Sequence, residues 1–157
     1  MKKFSVFVLF VMISLILSSC MVAEYVVYKS DIEQNATQMM ECVVNQDAEG
    51  LFELYSSDNS GSLKEIQKLF DYYDGKIVSY DYEGKGGGNR TTGNGKILFE
   101  HCYPEFDFTT DTGKTYTIEF GYINICDERP EREGITSIRI CENGDLGNQL
   151  VVGGYKT

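Results

Sequence analysis

The feature that most constrains the fold of this 157-residue chain is a change of hydrophobic period at Gly75. Before it, apolar residues recur at helical spacing. Ile32, Ala36, Met39, Met40 and Val43 form one stripe, and Leu51, Leu54 and Tyr55 a second. Leu63, Ile66, Leu69, Phe70 and Tyr73 form a third. Each stripe follows a residue able to cap a helix. Ser30 opens "SDIE" and Ser62 opens "SLKE", both capping-box patterns, and Asp47 precedes "AEGLFELYS". Helices are predicted from about Asp31 to Asn45, after Asp47, and from Ser62 to a C′ glycine at Gly75.

After Gly75 the period becomes two, as in half-buried strands. "KIVSYDYE" places Val78, Tyr80 and Tyr82 on one face; "KILFEHCY" places Ile97, Phe99, His101 and Tyr103 on one face. Pro104 cannot donate to a ladder and marks a bulge or an edge, after which Phe106 and Phe108 resume the alternation. "TDTG" (110–113) turns the chain into "KTYTIEFGYINI", and "ITSIRI" adds a fourth strand. Leu150 to Val152 suits one short strand more. Helices first and antiparallel strands after define an α+β domain: N-terminal helices packed on a curved sheet of about four strands.

The first residues read as an address. Lys2 and Lys3 precede fourteen residues, Phe4 to Leu17, that are apolar apart from Ser5 and Ser14. A helix of that length spans ~21 Å, short of a ~30 Å hydrocarbon core, and fits the apolar region of a signal peptide. "LSSC" then resembles a bacterial lipobox, in which small residues admit the chain to a peptidase and Cys20 takes a diacylglyceryl group. Two or three acyl chains, palmitate among them, meet the requirement for stable anchoring, which one chain does not. The expected organisation is a signal peptide over 1–19, a lipidated Cys20 with a short apolar tether over 20–29, and one α+β domain over 30–157. The expected place is the extracytoplasmic face of the cell membrane.

The element order resembles the nuclear transport factor 2-like (cystatin-like) fold. More closely, "LKEIQKLFDYYDGKIVSYDYEG", "TDTGKTYTIEFGY" and "EREGITSIRI" look like the small lipoprotein family catalogued as domain of unknown function 5104. The resemblance covers roughly Ser30 to Cys141 and rests on structural motifs. It brings no catalytic residues with it.

The charge balance narrows the partners. With 14 basic and 24 acidic residues the net charge is −10, and loss of Lys2 and Lys3 leaves 12 against 24, or −12. Such a surface repels phosphate backbones and anionic lipid, which argues against nucleic acid as a partner. A single domain of this length buries roughly 70% of its unfolded surface, so neither metal nor disulfide is needed to hold it.

Four features compete as sites. "EGKGGGNRTTGNGK" (Glu83 to Lys96) comes near a phosphate-binding loop, but Asn94 stands where Lys is required and a strand follows it, not a helix. It is expected to be a flexible hairpin connection. His101, the single histidine, counts out from "TDTG" to a position roughly opposite Tyr122 on the helix-facing side. A hydrogen-bonded core histidine is the leading reading there, and a pocket lined by Tyr80, Tyr103, Tyr122 and His101 is the alternative, with Glu100 and Glu119 on the other face. Beyond Cys20 lie Cys42, Cys102, Cys126 and Cys141. Cys102 and Cys141 register on opposite neighbours of one strand, ~10 Å apart and too far to bridge, so mostly reduced thiols are expected, and without C-x-x-C spacing no metal centre. "DERPERE" (Asp127 to Glu133) reads as a solvated turn, and "DFTTD" (Asp107 to Asp111) lacks calcium-loop spacing.

The leading expectation is a non-enzymatic, membrane-tethered domain that binds a small ligand or a protein and needs no cofactor. An enzyme built on His101 and the tyrosines is the alternative, and an immunity-type or structural envelope lipoprotein a third. A polar pair converging on a deep pocket would favour the enzyme; a filled apolar interior would favour docking.

Overall fold

A computed structural model describes residues 31–59, 61–84 and 87–154. The leader, Cys20, the tether, the Ser30 cap, Lys85 and Gly86 lie outside the described residues. The chain divides into two compact units, Met1–Gln34 and Asn35–Thr157. Of the first, only 31–34 are described, and they are helical. The second carries the fold that follows.

Its helical layer begins with α1 (35–44), whose Ala36, Met39, Met40 and Val43 are fully buried. The Asp47 carboxylate accepts from Gly50 N at 2.9 Å and starts α2 (Ala48–Glu53). Ser62 Oγ accepts from Glu65 N at 3.3 Å and starts α3 (Leu63–Tyr72), which buries Ile66, Leu69 and Phe70. Leu63 belongs to the sequence stripe, yet is 44% exposed at the first turn. Helix α3 ends at Tyr72, with Tyr73 already extended. Gly75 therefore is not its C′ residue. With φ +87° it turns the chain out of the helical layer, where Lys76 N meets Asp111 Oδ1 at 2.8 Å.

Among the described residues seven strands follow, rather than about four: β1 (Ile77–Tyr82), β2 (Gly88–Gly93), β3 (Lys96–Cys102), β4 (Glu105–Thr110), β5 (Thr115–Cys126), β6 (Gly134–Glu142) and β7 (Gln149–Gly153). Three local causes raise the count. Pro104 divides one expected strand into β3 and β4, and its carbonyl accepts from Phe120 N at 2.9 Å. Asn94 (φ +52°) and Gly95 (φ +75°) form a two-residue hairpin turn of left-handed residues, the commonest way to join antiparallel strands. That turn makes the "GNRTTG" of the supposed loop into β2, paired from Gly88↔Cys102 to Gly93↔Lys96. The third is β7, the extra short strand that the sequence offers at Leu150 to Val152, along β6.

Strand β5 is the axis. Glu119 pairs with Glu105 of β4 on one edge and with Arg139 of β6 on the other. Tyr122 likewise pairs with Cys102 of β3 and Ile135 of β6. One edge of β5 thus carries β4 along its first half and β3 along its second, and the other edge carries β6. Strands β1, β2 and β7 then extend β4, β3 and β6. A bulge between Ile77 and Ser79 takes Val78 out of the expected alternation and leaves it 63% exposed.

The helix-facing side of this sheet is filled by its own side chains. Phe106, Phe108, Tyr116, Ile118, Phe120, Ile135, Ile138, Ile140 and Val152 meet the helical stripes there. Phe108 stacks on Tyr116 at 5.2 Å, and Tyr73 meets Phe108 edge-on at 5.4 Å. The Tyr73 hydroxyl donates to Val43 O at 3.1 Å, tying the end of α3 to α1. Each large apolar side chain so buried contributes about 1.5–3 kcal/mol.

Asn59, 7% exposed, closes the domain between α2 and α3. Its amide donates to Ile135 O (3.3 Å) and to Thr136 O, and its carbonyl accepts from Gly61 N (2.6 Å) and Gly154 N (3.2 Å). One side chain thereby joins the helical layer to β6 and to the end of β7.

Candidate functional site

The hairpin count from "TDTG" runs one residue further than the sequence suggests. His101 pairs with Ile123, and Tyr122 pairs with Cys102. A one-residue slip exchanges the faces of a strand. Tyr122 and Cys102 therefore share the helix-facing side, and His101 lies on the outer side.

On that outer side His101 has two hydroxyl neighbours. Tyr103 Oη lies 3.4 Å from Nδ1, with the rings 4.5 Å apart. Thr136 Oγ1 lies 3.5 Å from Nε2. The histidine reaches β6 across β5 because Gly121 leaves room: an added Cβ there would stand 2.6 Å from Ser137 Oγ and 2.8 Å from Thr136 Oγ1. Burial, then the Arg132 charge, holds the imidazole below its ordinary pKa. The ring thus lies between two hydroxyls, with its pKa lowered by burial and a nearby cation.

The other expected pocket residues stand elsewhere. Tyr122 Oη accepts from Asn35 Nδ2 at 3.2 Å on the helix-facing side, and burial, then Cys102 and Glu133, raises its pKa. Tyr80 sits on β1, 5.9 Å from the Phe106 ring and 36% exposed. The structure brings His101 and Tyr103 together and separates both from Tyr122 and Tyr80.

Glu100 is also placed differently from the sequence reading. It is 2% exposed and shares the side of Cys102, two residues along β3. Arg90 Nε lies 3.1 Å from one of its oxygens, and Asn124 Nδ2 donates to the other at 3.0 Å. Arg90 is supplied by β2, so the glycine-rich segment has a structural role, delivering the cation for a buried carboxylate. Burial, then Glu100, pushes the Cys102 thiol up to about 12. All four described cysteines are unbridged. Among the described residues, no group of three or more His, Cys, Asp and Glu gathers that would hold a metal ion.

An open groove of about 480 Å³ lies on the outer face of β1, β4 and β5. Its floor consists of two rows that cross these strands. Ser79 pairs with Thr109 and Thr109 with Thr115; Asp81 pairs with Asp107 and Asp107 with Thr117. Asn143, just after β6, completes the rim. Thr117 Oγ1 donates to Asp107 Oδ1 at 2.7 Å, and Thr115 Oγ1 donates to Asn143 Oδ1 at 2.6 Å. Sequence reasoning missed this surface because it followed only the apolar phase of each strand. The signal was the polar phase of the same alternation.

A family model described as Domain of unknown function (DUF5104) matches residues 38–143, from within α1 to the end of β6. The chain belongs to this family. The match takes in β1 to β6 whole and therefore the His101 cluster, the Glu100–Arg90 pair and the groove as far as Asn143. No curated protein matches the sequence.

Proposed function

We propose that this DUF5104 protein is a lipid-anchored, extracytoplasmic, non-enzymatic binding domain, tethered through a diacylglyceryl group on Cys20. The "LSSC" segment after an apolar run of signal-peptide length supports the anchor. The arrangement of helices against one side of a sheet built around a long β5 supports the nuclear transport factor 2-like reading of the fold.

The observation that carries the binding role is where polar groups are displayed. The helix-facing side is occupied by Tyr116, Phe106, Phe108 and Phe120, all fully buried, which favours docking on the exterior over a small ligand held inside. His101 and Tyr103 lie apart from Tyr122 and Tyr80, which weighs against the enzyme alternative built on these four residues. With a net charge of −10, the exterior favours neutral or basic partners.

The anchor is tested by growing cells on labelled palmitate and comparing wild type with Cys20→Ser. Wild type should take up label and fractionate with membranes, and the variant should do neither. Label retained by the variant, or absent from wild type, removes the anchor from the proposal.

A further inference from the structure

From the outer groove we infer a binding site for a neutral saccharide, gripped by Ser79, Asp81, Asp107, Thr109 and Asn143. This rests on the reading that the domain binds through its exterior, and it specifies where and what.

The chemistry of the floor selects the ligand class. Thr117 and Thr115 spend their protons inside the groove, on Asp107 and Asn143. This fixes the two side chains and leaves Asp107 with a free acceptor oxygen and Asn143 with its amide hydrogens to donate. Ser79 and Thr109 supply hydroxyls beside them, and Asp81 supplies a second carboxylate. A hydroxyl row, Ser79 and Thr109, thus lies ~7 Å along the strands from a carboxylate row, Asp81 and Asp107, with ~5 Å between neighbours in each row.

Other ligand classes fit less well. Anions meet two carboxylates. For a divalent cation, no third His, Cys, Asp or Glu among the described residues joins the two carboxylates, and Asp107 is already engaged by Thr117. An apolar ligand finds no platform, because Phe108 and Tyr116 turn their rings into the core. Sugar hydroxyls both donate and accept, so they satisfy both kinds of group at once. They also relieve a local conflict: Asp81 and Asp107 stand directly opposite each other, a destabilising arrangement for like charges. A hydroxyl donated to each carboxylate lowers that repulsion. The volume lies within the ~300–1,000 Å³ range of small-ligand sites. Without aromatic stacking, affinity for a single disaccharide is expected on the order of 1 mM.

The test uses the ¹⁵N-labelled full-length chain in dodecylphosphocholine micelles, which carry no sugar headgroup. Cellobiose, maltose and N,N′-diacetylchitobiose are titrated separately, and calcium chloride in parallel. At least one disaccharide should shift amide signals of 79–81, 107–109, 115–117 and 143–144, and leave those around His101 unmoved. Asp107→Asn should weaken that binding by about 10-fold, the loss expected for a charge-assisted hydrogen bond. Thr109→Val should weaken it by about 3-fold or more. Both side chains face outward, and unchanged signals from the core report that the variants are folded. Absence of shifts with all three sugars, shifts with calcium alone, or sugar shifts that survive Asp107→Asn would each overturn the inference. Sugar shifts located elsewhere would also overturn it, while leaving an exterior binding role intact.

Discussion

Replacing Asn59 with alanine should destabilise the domain by about 3 kcal/mol. The side chain makes four hydrogen bonds, two as donor to Ile135 O and Thr136 O and two as acceptor from Gly61 N and Gly154 N. Thr136 is buried, so its carbonyl loses a partner that water does not readily replace, at ~1–3 kcal/mol, whereas the Ile135 carbonyl keeps Ser56 N at 3.0 Å and loses only ~0.5 kcal/mol. The two glycine amides are less enclosed and contribute ~0.5 kcal/mol each. For a chain of this size, a loss of 3 kcal/mol lowers Tm by roughly 6–12 °C. Urea denaturation of wild type and Asn59→Ala, followed by circular dichroism, measures it: the midpoint should fall with an unchanged slope.

Asn59→Asp sharpens this test. A carboxylate keeps the two acceptor contacts but faces two carbonyl oxygens, which raises its pKa above the unfolded value. A group with a raised folded pKa gives its full contribution to stability below the unfolded pKa and loses it as pH rises. Asn59→Asp should therefore be much weaker than wild type at pH 7 and approach it as pH falls toward ~4. A loss below ~1 kcal/mol in Asn59→Ala, or an Asn59→Asp deficit independent of pH, would refute the reasoning.

Three further outcomes follow from the same structure. Arg90→Ala should cost ~1–2 kcal/mol in urea denaturation, because it takes the guanidinium from buried Glu100; adding Glu100→Gln should recover part of that loss, and a neutral Arg90→Ala would deny β2 this role. His101 has a depressed folded pKa, so the unfolded chain binds a proton first as pH falls. Stability should accordingly drop as pH falls below about 6.5, and His101→Gln should flatten that part of a pH–stability profile. Alkylation at pH 8 with mass mapping should label half-buried Cys42 well before buried Cys102, whose thiol is pushed up to about 12, and denaturant should erase the difference.

Much of the fold was legible in the sequence because its signals are local. Asp47 and Ser62 cap the helices they precede, and Ile66, Leu69 and Phe70 face inward as their spacing requires. "TDTG" turns as expected, with Gly113 at φ +80° and its N–H on Thr110 O at 2.9 Å. The strand β2 was also written locally, in Asn94-Gly95, but the surrounding glycines hid it by resembling an unstructured connection.

The candidate site was harder to read, for a physical reason. Side chains alternate with a period of two, so an error of one residue in pairing moves His101 from one face of the sheet to the other. The same slip hid Glu100 on the helix-facing side, opposite Arg90 of β2.

The sequence by itself determined what depends on neighbours along the chain: helix starts, the alternation of β4, β5 and β6, the turn, the acidic balance and the lipobox-like segment around Cys20. Only the tertiary structure decided what depends on lateral order. A 12-residue β5 pairs with β3 and β4 on one edge and β6 on the other. That arrangement sets Asp81 beside Asp107, and Asn143 beside Thr115. Each of these polar groups alone is an ordinary solvent-facing residue, and the lateral order of the strands makes them one surface.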